Sequence, residues 1–267
     1  MSILAKGVDK KIAYRKETTW GVVAPDSGAK QLRRVTSQFN QMAEELQSAE
    51  IRQDYQIADY RHGSLSTEGS LNGELSPSTY ADFFAAALAK NFAAGGSTTG
   101  ASLTIAVSGS FYTITRAAGS WLTDGFYVGN IIRLTGAGFA PANVGKNIQI
   151  LSITALVLTV RTFDGNTLTV EGPIASAGAS VVGKQTFAPL TGHTSDSFTV
   201  EEFYGGGVNV SEVHTGNKVG SVAVQLPASG FCTVDFTFMG KGMMKTGNTQ
   251  HFATATAAST TGLTVGV

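Results

Sequence analysis

The residues able to do chemistry are dispersed along this chain. His62, His193, His214 and His251 stand far apart with no paired spacing, and no HExxH, CxxC or clustered-carboxylate loop accompanies them. Each is expected on a loop or at the surface rather than on a metal. The single cysteine, Cys232, alternates with Val234, Phe236 and Phe238, so a buried thiol is expected and not a nucleophile. One cysteine cannot form an internal disulfide, and the fold is therefore independent of an oxidising compartment. Gly178 to Lys184, GASVVGK, satisfies the glycine and lysine positions of a phosphate-binding loop. Gln185 then stands where Ser or Thr would hold magnesium, and no helix pattern follows, which argues against a nucleotide site. TGAGFAPANVGK, residues 135–146, has the wrong spacing altogether, and glycines 205–207 read as a hairpin or mobile loop. Glu201, Glu202 and Asp235 could serve a glycosidase, but adjacent Glu201 and Glu202 point to opposite faces of a strand and are expected as solvated or interface charges. The reading is a protein without catalytic residues, cofactor or metal.

Composition narrows the class. Lys plus Arg and Asp plus Glu each count 19 in 267 residues, so no net field draws the chain to nucleic acid or an anionic membrane. Charged residues make up 14%, against about 25% in ordinary soluble domains, while glycine numbers 32. That balance suits a strand-and-turn protein whose surface is largely covered by partners. MSILAKGVDKK has no apolar run of signal-peptide length, and no stretch approaches the roughly 18 apolar residues of a membrane span, so a soluble chain is expected.

The elements that would position any site are mostly strands. IAYRKETTWGVVAP predicts a strand followed by a loop, and LRRVTSQFN another strand. Residues 41–48 are weakly patterned. Ile51, Gln53, Tyr55 and Ile57 alternate with Arg52, Asp54 and Gln56, predicting a strand with ADYRHGS as its turn. Leu65, Thr67, Gly69, Leu71, Gly73 and Leu75 then form one face of a long strand, with Ser66, Glu68, Ser70, Asn72 and Glu74 opposite. A helix is predicted over about residues 77–93, capped by Ser76, begun by Pro77, stopped by Gly95 and Gly96, and striped with Tyr80, Phe83, Phe84, Ala87, Leu88 and Phe92. Residues 98–184 change texture to short strands and glycine-rich turns, with Asp164 and Gly165 in a tight hairpin turn, and read as a small inserted β-barrel or sandwich. Residues 1–97 and 185–267 would then make one discontinuous domain. SFTVEEFY, KVGSVAVQLP and FCTVDFTFMGKG restore the long-strand style, and the last residues read as a strand lacking its partner, so the chain is expected to continue beyond Val267.

AYRKETTWGVVAP, SAEIRQDYQIADYRHGSLSTEGSLNGELSPSTYADFFAAAL, SFTVEEFY, HTGNKVGSVAVQLP and FCTVDFTFMGKGM, in this order, resemble the tail tube (major tail) proteins of long-tailed bacteriophages. The resemblance covers roughly residues 12–88 and 187–244. It implies a mainly β subunit, a β-sandwich or barrel with one flanking helix. It also implies assembly into stacked, hexameric rings that form a hollow tube for genome DNA in the virion, made in the host cytoplasm. The implied partners are further copies of the chain, a tape-measure protein inside the tube, and terminator and baseplate or distal tail proteins at its ends. The family brings no catalytic residue.

Long two-faced strands suit this role if one face packs on the core and the other lines a lumen. A lumen that passes DNA must not hold it, since each phosphate contact to Lys or Arg adds affinity. Ser66, Glu68, Ser70, Asn72 and Glu74 are accordingly expected to face the lumen, and Thr233, Asp235 and Thr237 fit the same demand. Residues 21–30 and 41–48 are expected to become ordered only against an adjacent ring, with Arg33, Arg34 and Arg52 pairing with Glu44, Glu45 or Glu50 across subunits or remaining as exposed charges. The inserted domain is expected on the tube exterior. The alternative is a β-rich cell-surface or carbohydrate-binding tail adhesin, with Trp121, Phe126 and Tyr127 as its aromatics.

Overall fold

Alternating residues become strand where one side can be buried and the backbone can find a partner. The computed structural model describes residues 6–51, 53–54, 56, 59–163, 167–185 and 192–266. The chain begins with β1 (Lys10–Lys16), β2 (Lys30–Gln31), β3 (Thr36–Gln47), β4 (Tyr60–Glu74) and α1 (Ala81–Ala87). It continues through β5 (Ala93–Ala94), β6 (Ser97–Ser108), β7 (Phe111–Arg116), β8 (Ile131–Thr135), β9 (Ile148–Ile153), β10 (Val157–Thr162), β11 (Glu171–Val181) and β12 (Lys184–Gln185). It ends with β13 (Phe198–Tyr204), β14 (Val210–Gln225), β15 (Gly230–Phe231), β16 (Thr233–Gly240), β17 (Gly242–Gly247) and β18 (Val265–Gly266). Two compact units result, one of Met1–Asn91 with Phe187–Val267, the other of Phe92–Thr186. The protein is mainly β, with a single α-helix among the described residues.

In the first unit the sheet order is β2-β1-β13-β14-β16-β4-β3, antiparallel throughout, with β17 added beside β14. Strand β14 joins two halves: its first part pairs with β13 and β17, and residues 218–225 pair with β16. Gly216, at φ +70°, and a register shift between Val219 and Ser221 mark the passage. Ile12, Tyr14, Phe198 and Val200 from one half share a single buried cluster with Phe39, Leu71, Val234, Phe236 and Phe238 from the other. Phe83 of α1 enters that cluster edge-on to Phe198, Phe236 and Phe238, with centroids at 5.1, 5.5 and 5.2 Å.

The helix is shorter than the apolar stripe predicts. Ser76 shares a hydrogen bond with Thr79 (Oγ to Oγ1, 2.5 Å) rather than capping, and Ser78 takes φ +66°, so the helix starts only at Ala81. Its end is a Schellman turn: Lys90 N–H donates to Ala85 O at 3.0 Å and Ala89 N–H to Ala86 O at 3.1 Å. Ala89 occupies the left-handed position at φ +51°, so the stop comes well before the expected Gly95 and Gly96.

Two expectations around the longest hairpin are corrected. The described residues between Gln47 and Tyr60 form a loop and no strand; Arg52, Tyr55 and Ile57 lie outside the described residues. The described residues there have no neighbouring strand to pair with. The segment expected as a turn, residues 60–64, is strand instead, because Gln47, Leu46 and Glu45 stand opposite Tyr60, Arg61 and His62. The expected turn at Asp164 and Gly165 also lies outside the described residues.

The other face of β1, β13 and β14 is covered by the chain's own loops. Ala24 N–H donates to Thr199 Oγ1 at 3.0 Å, Gly21 N–H to Glu17 Oε2 at 2.8 Å, and Thr254 N–H to Asp26, while Ala13, Ala29 and Phe252 are buried together. Residues 21–30 are thus held by their own subunit. The final strand also has a partner, β18 pairing with β15.

The second unit is a closed six-stranded barrel, β10-β7-β6-β11-β8-β9, with β5 and β12 paired. Its core includes Leu103, Ile105, Ile114, Trp121, Phe126, Ile132, Ile148 and Leu158.

Candidate functional surface

The five residues singled out on β4 share one sheet face. Thr67, Leu71 and Gly73 are buried, while Ser66, Glu68 and Ser70 are exposed and Asn72 and Glu74 half-buried. Two glycines make the inward face possible. A Cβ at Gly69 would lie 2.3 Å from the Phe39 ring, and one at Gly73 would lie 1.9 Å from the Tyr80 hydroxyl, which donates to Arg33 O at 2.8 Å.

Antiparallel register extends the outward face across four strands. Asn40, Glu68, Met239 and Lys218 form one row; Gln38, Ser70, Thr237 and Ser221 the next; Thr36, Asn72, Asp235 and Ala223 the third; and Glu74, Thr233 and Gln225 the last. Asn72 Nδ2 donates to Asp235 Oδ1 at 2.5 Å, and Ser221 and Thr237 share a hydroxyl hydrogen bond of 2.7 Å. Three carboxylates, from Glu68, Glu74 and Asp235, stand in these rows with one cation, Lys218 in the Glu68 row. Lys218 follows Met239 at the margin and donates to Ser195 Oγ at 2.9 Å. The surface presents hydroxyls, amides and negative charge, a combination that repels phosphates and holds water.

The expected contact residues fall in two places. Arg33 donates to Thr261 O at 2.7 Å, and Arg34 to Lys10 O at 2.5 Å and Gly7 O at 3.2 Å, so both guanidinium groups are held by their own chain. Glu44 and Glu45 lie on the distal part of the β3–β4 hairpin, where residues 42–47 and 64–66 are exposed on both faces. Glu44 accepts from Ser64 Oγ at 2.9 Å, and a hydrogen bond to Glu45 raises the pKa of the Tyr60 phenol. Glu50 is exposed in the loop beyond, and Arg52 lies outside the described residues.

Three buried carboxylates escaped the sequence reading. Glu201 and Glu202 do point to opposite faces, yet they are 0% and 1% exposed, because loops cover the second face of their strand. Glu201 accepts from Ser211 Oγ at 2.5 Å and from the backbone N–H groups of His251 and Phe252 at 2.6 and 2.8 Å, fixing the C-terminal segment. Glu17 accepts from Ser197 Oγ, Thr199 Oγ1, Gly21 N–H and Gly216 N–H at 2.7, 3.0, 2.8 and 2.7 Å. Glu202 pairs with Lys10 Nζ at 2.7 Å; burial raises its pKa, against the opposing pull of Lys10.

His214, expected at the surface, is fully buried on β14 beside the Phe39 ring, with centroids 5.5 Å apart. Burial first, and the Lys10 charge second, push its pKa down to about 4. The signal that could have found it is its even spacing from Glu212 in SEVHTGN, which puts both on the core side of β14.

In the barrel, Trp121 and Phe126 are fully buried and pack edge to face at 5.1 Å, with Arg116 over the indole at 5.0 Å; Tyr127 is half exposed. Two of the three aromatics considered for sugar binding are therefore core. The near match to a phosphate loop lies in β11 and the turn into β12, and no helix follows it among the described residues.

A two-halved β unit built around a polar sheet face and a two-sided exposed hairpin defines a structural β protein. The family model described as phage tail tube protein matches residues 7–266, and the chain belongs to that family, which is structural and not enzymatic. It is a structural component of the phage tail tube and hence of the virion tail. A search of curated proteins returned no match.

Proposed function

We propose that this chain assembles into stacked rings, six subunits to a ring, whose bore conducts double-stranded DNA, and that the outward face of β3, β4, β16 and β14 lines that bore. The observation that carries this reading is the charge of the face: three carboxylates, Glu68, Glu74 and Asp235, against one lysine in these rows, Lys218 at the β14 end of the Glu68 row. Cationic linings gain affinity with each phosphate neutralised, so a DNA conduit works best with an acidic or neutral wall. The number six rests on the family resemblance. The tape-measure protein would occupy the bore before DNA, with terminator and baseplate or distal tail proteins at the ends and synthesis in the host cytoplasm.

The distal β3–β4 hairpin is the proposed ring-to-ring contact. Met42, Leu46, Tyr60 and Leu65 there are each about half exposed, and β3 is an edge strand whose outer backbone groups lack a strand neighbour among the described residues of the subunit. Contacts through Glu44, Glu45 and Glu50 would then reach groups of a neighbouring copy. The barrel is proposed to lie on the tube exterior, since six copies of it in a bore would obstruct DNA.

Electron microscopy of the purified full chain over a range of concentrations tests the assembly. Hollow tubes with Glu68 and Glu74 at the inner radius are expected. Tubes carrying these residues on the outer wall would overturn the lining, and a protein that stays monomeric when seeded with tail fragments would overturn assembly.

A further inference from the structure

We propose that Glu202, Glu212 and His214 form a binding site for a divalent transition-metal ion, with Lys10 as the resident counter-cation that the metal displaces. Glu202 on β13 and Glu212 on β14 stand directly opposite each other, and His214 follows two residues on, on the same face. One ligand atom from each lies within 4.8 Å of the other two.

His214 supplies the independent observation. It is 0% exposed, and neither ring nitrogen has a hydrogen-bond partner among the described residues. A buried imidazole without partners costs about 1–3 kcal/mol relative to a satisfied one, and such groups are rare enough to need a cause. A metal bound between it and the two carboxylates satisfies all three at once.

Lys10 decides how tightly the site binds. Its Nζ lies 2.7 Å from Glu202 Oε1 and 2.9 Å from the Ser37 carbonyl, with the side chain 12% exposed. Lys245 stands opposite Glu212 in the β14–β17 register, while the Lys10 ammonium neutralises the Glu202 carboxylate. Because it reaches the surface, it can withdraw while keeping the Ser37 carbonyl or water as its acceptor. Tyr204 Oη donates to Glu202 Oε2 at 3.4 Å, and the Lys10 ammonium lies over the Tyr204 ring, 5.4 Å from its centroid. One imidazole and two carboxylates suit Zn²⁺, Co²⁺, Ni²⁺ or Mn²⁺, whereas Ca²⁺ and Mg²⁺ favour all-oxygen sets.

The test uses the untagged full chain, stripped with EDTA and dialysed against Zn²⁺ or Co²⁺. One equivalent of metal is expected to remain, with visible Co²⁺ absorption and a rise in melting temperature. Glu212→Gln, at a half-buried position, is expected to weaken binding at least about tenfold, and Lys10→Met to strengthen it. His214→Gln should abolish the cobalt spectrum; if that variant does not fold, Glu212→Gln decides. Absence of stoichiometric metal from both wild type and Lys10→Met overturns the proposal. So does metal held by Glu212→Gln as tightly as by wild type, which would place it on another histidine.

Discussion

The Tyr14 hydroxyl donates to Asp82 Oδ2 at 2.7 Å, linking the first strand of the sheet to the first turn of α1. The same oxygen receives Lys30 Nζ at 2.7 Å, so one carboxylate ties β1, β2 and α1 together. Burial, and next the Asp82 charge, raise the Tyr14 pKa far above its usual range, which keeps the phenol a donor at any working pH.

Tyr14→Phe removes that donor and leaves the ring packed on Phe83 and Phe198. A loss of about 1–2 kcal/mol is expected, the usual worth of a hydrogen bond to a charged acceptor that keeps a second partner. Urea denaturation should show a lower midpoint with an unchanged slope.

Acid should reveal Asp82. Burial raises its pKa, but hydrogen bonds from Lys30 and Tyr14 outweigh this and leave it below 3.8. The folded value is depressed, so the contribution is fully present above the unfolded value and is lost as pH falls through the folded one. Comparing wild type with Asp82→Asn, the stability difference should hold from pH 7 to about 5 and shrink below about 4. A difference that stays constant down to about pH 2 would contradict the assignment.

Glu17 holds four donors in a buried position, and Glu17→Gln would turn an NH₂ group against two of them. A loss of about 3 kcal/mol is expected. Hydrogen exchange should report the damage at Gly21 and Gly216 first, since the Glu17 carboxylate is the acceptor that protects both amides.

Ala89 pays for its left-handed backbone. Ala89→Gly at φ +51° is expected to stabilise the unit by about 0.5–1 kcal/mol, the steric relief exceeding the added chain entropy. Thermal unfolding is the direct measurement.

Reversing the charge of the proposed lining gives the functional prediction. Particles whose tail subunits carry Glu68→Lys with Glu74→Lys should release DNA more slowly at low salt, and recover as salt rises, because added phosphate contacts carry a steep salt dependence. A release rate equal to wild type at every salt concentration would count against the bore placement.

Much of the β4 surface was legible in advance. Leu71 and Gly73 inward, Ser70, Asn72 and Glu74 outward, follow from period-two alternation, which is a property of the local chain. The phenylalanine face of β16 was readable for the same reason: Phe236 and Phe238 are buried where their spacing put them. The helix was legible as an apolar stripe but not in extent, because Ser78 and Ala89 adopt backbone conformations that their side chains do not advertise.

The sequence by itself determined that this is a strand-built protein with two-faced strands, since alternation, glycine turns and charge balance are written residue by residue. Only the tertiary structure decided which faces are covered. Glu201 and Glu202 look like surface charges until the 248–256 segment closes over one and β3 over the other. The alternating residues after Glu50 look like a strand, but the described ones among them have no neighbouring strand to pair with. His214 and Glu212 meet Glu202 across the β13–β14 hairpin, but Lys10 joins them only through the register of β1, which is distant in sequence. Burial and pairing depend on what the rest of the chain brings alongside, and that information is non-local.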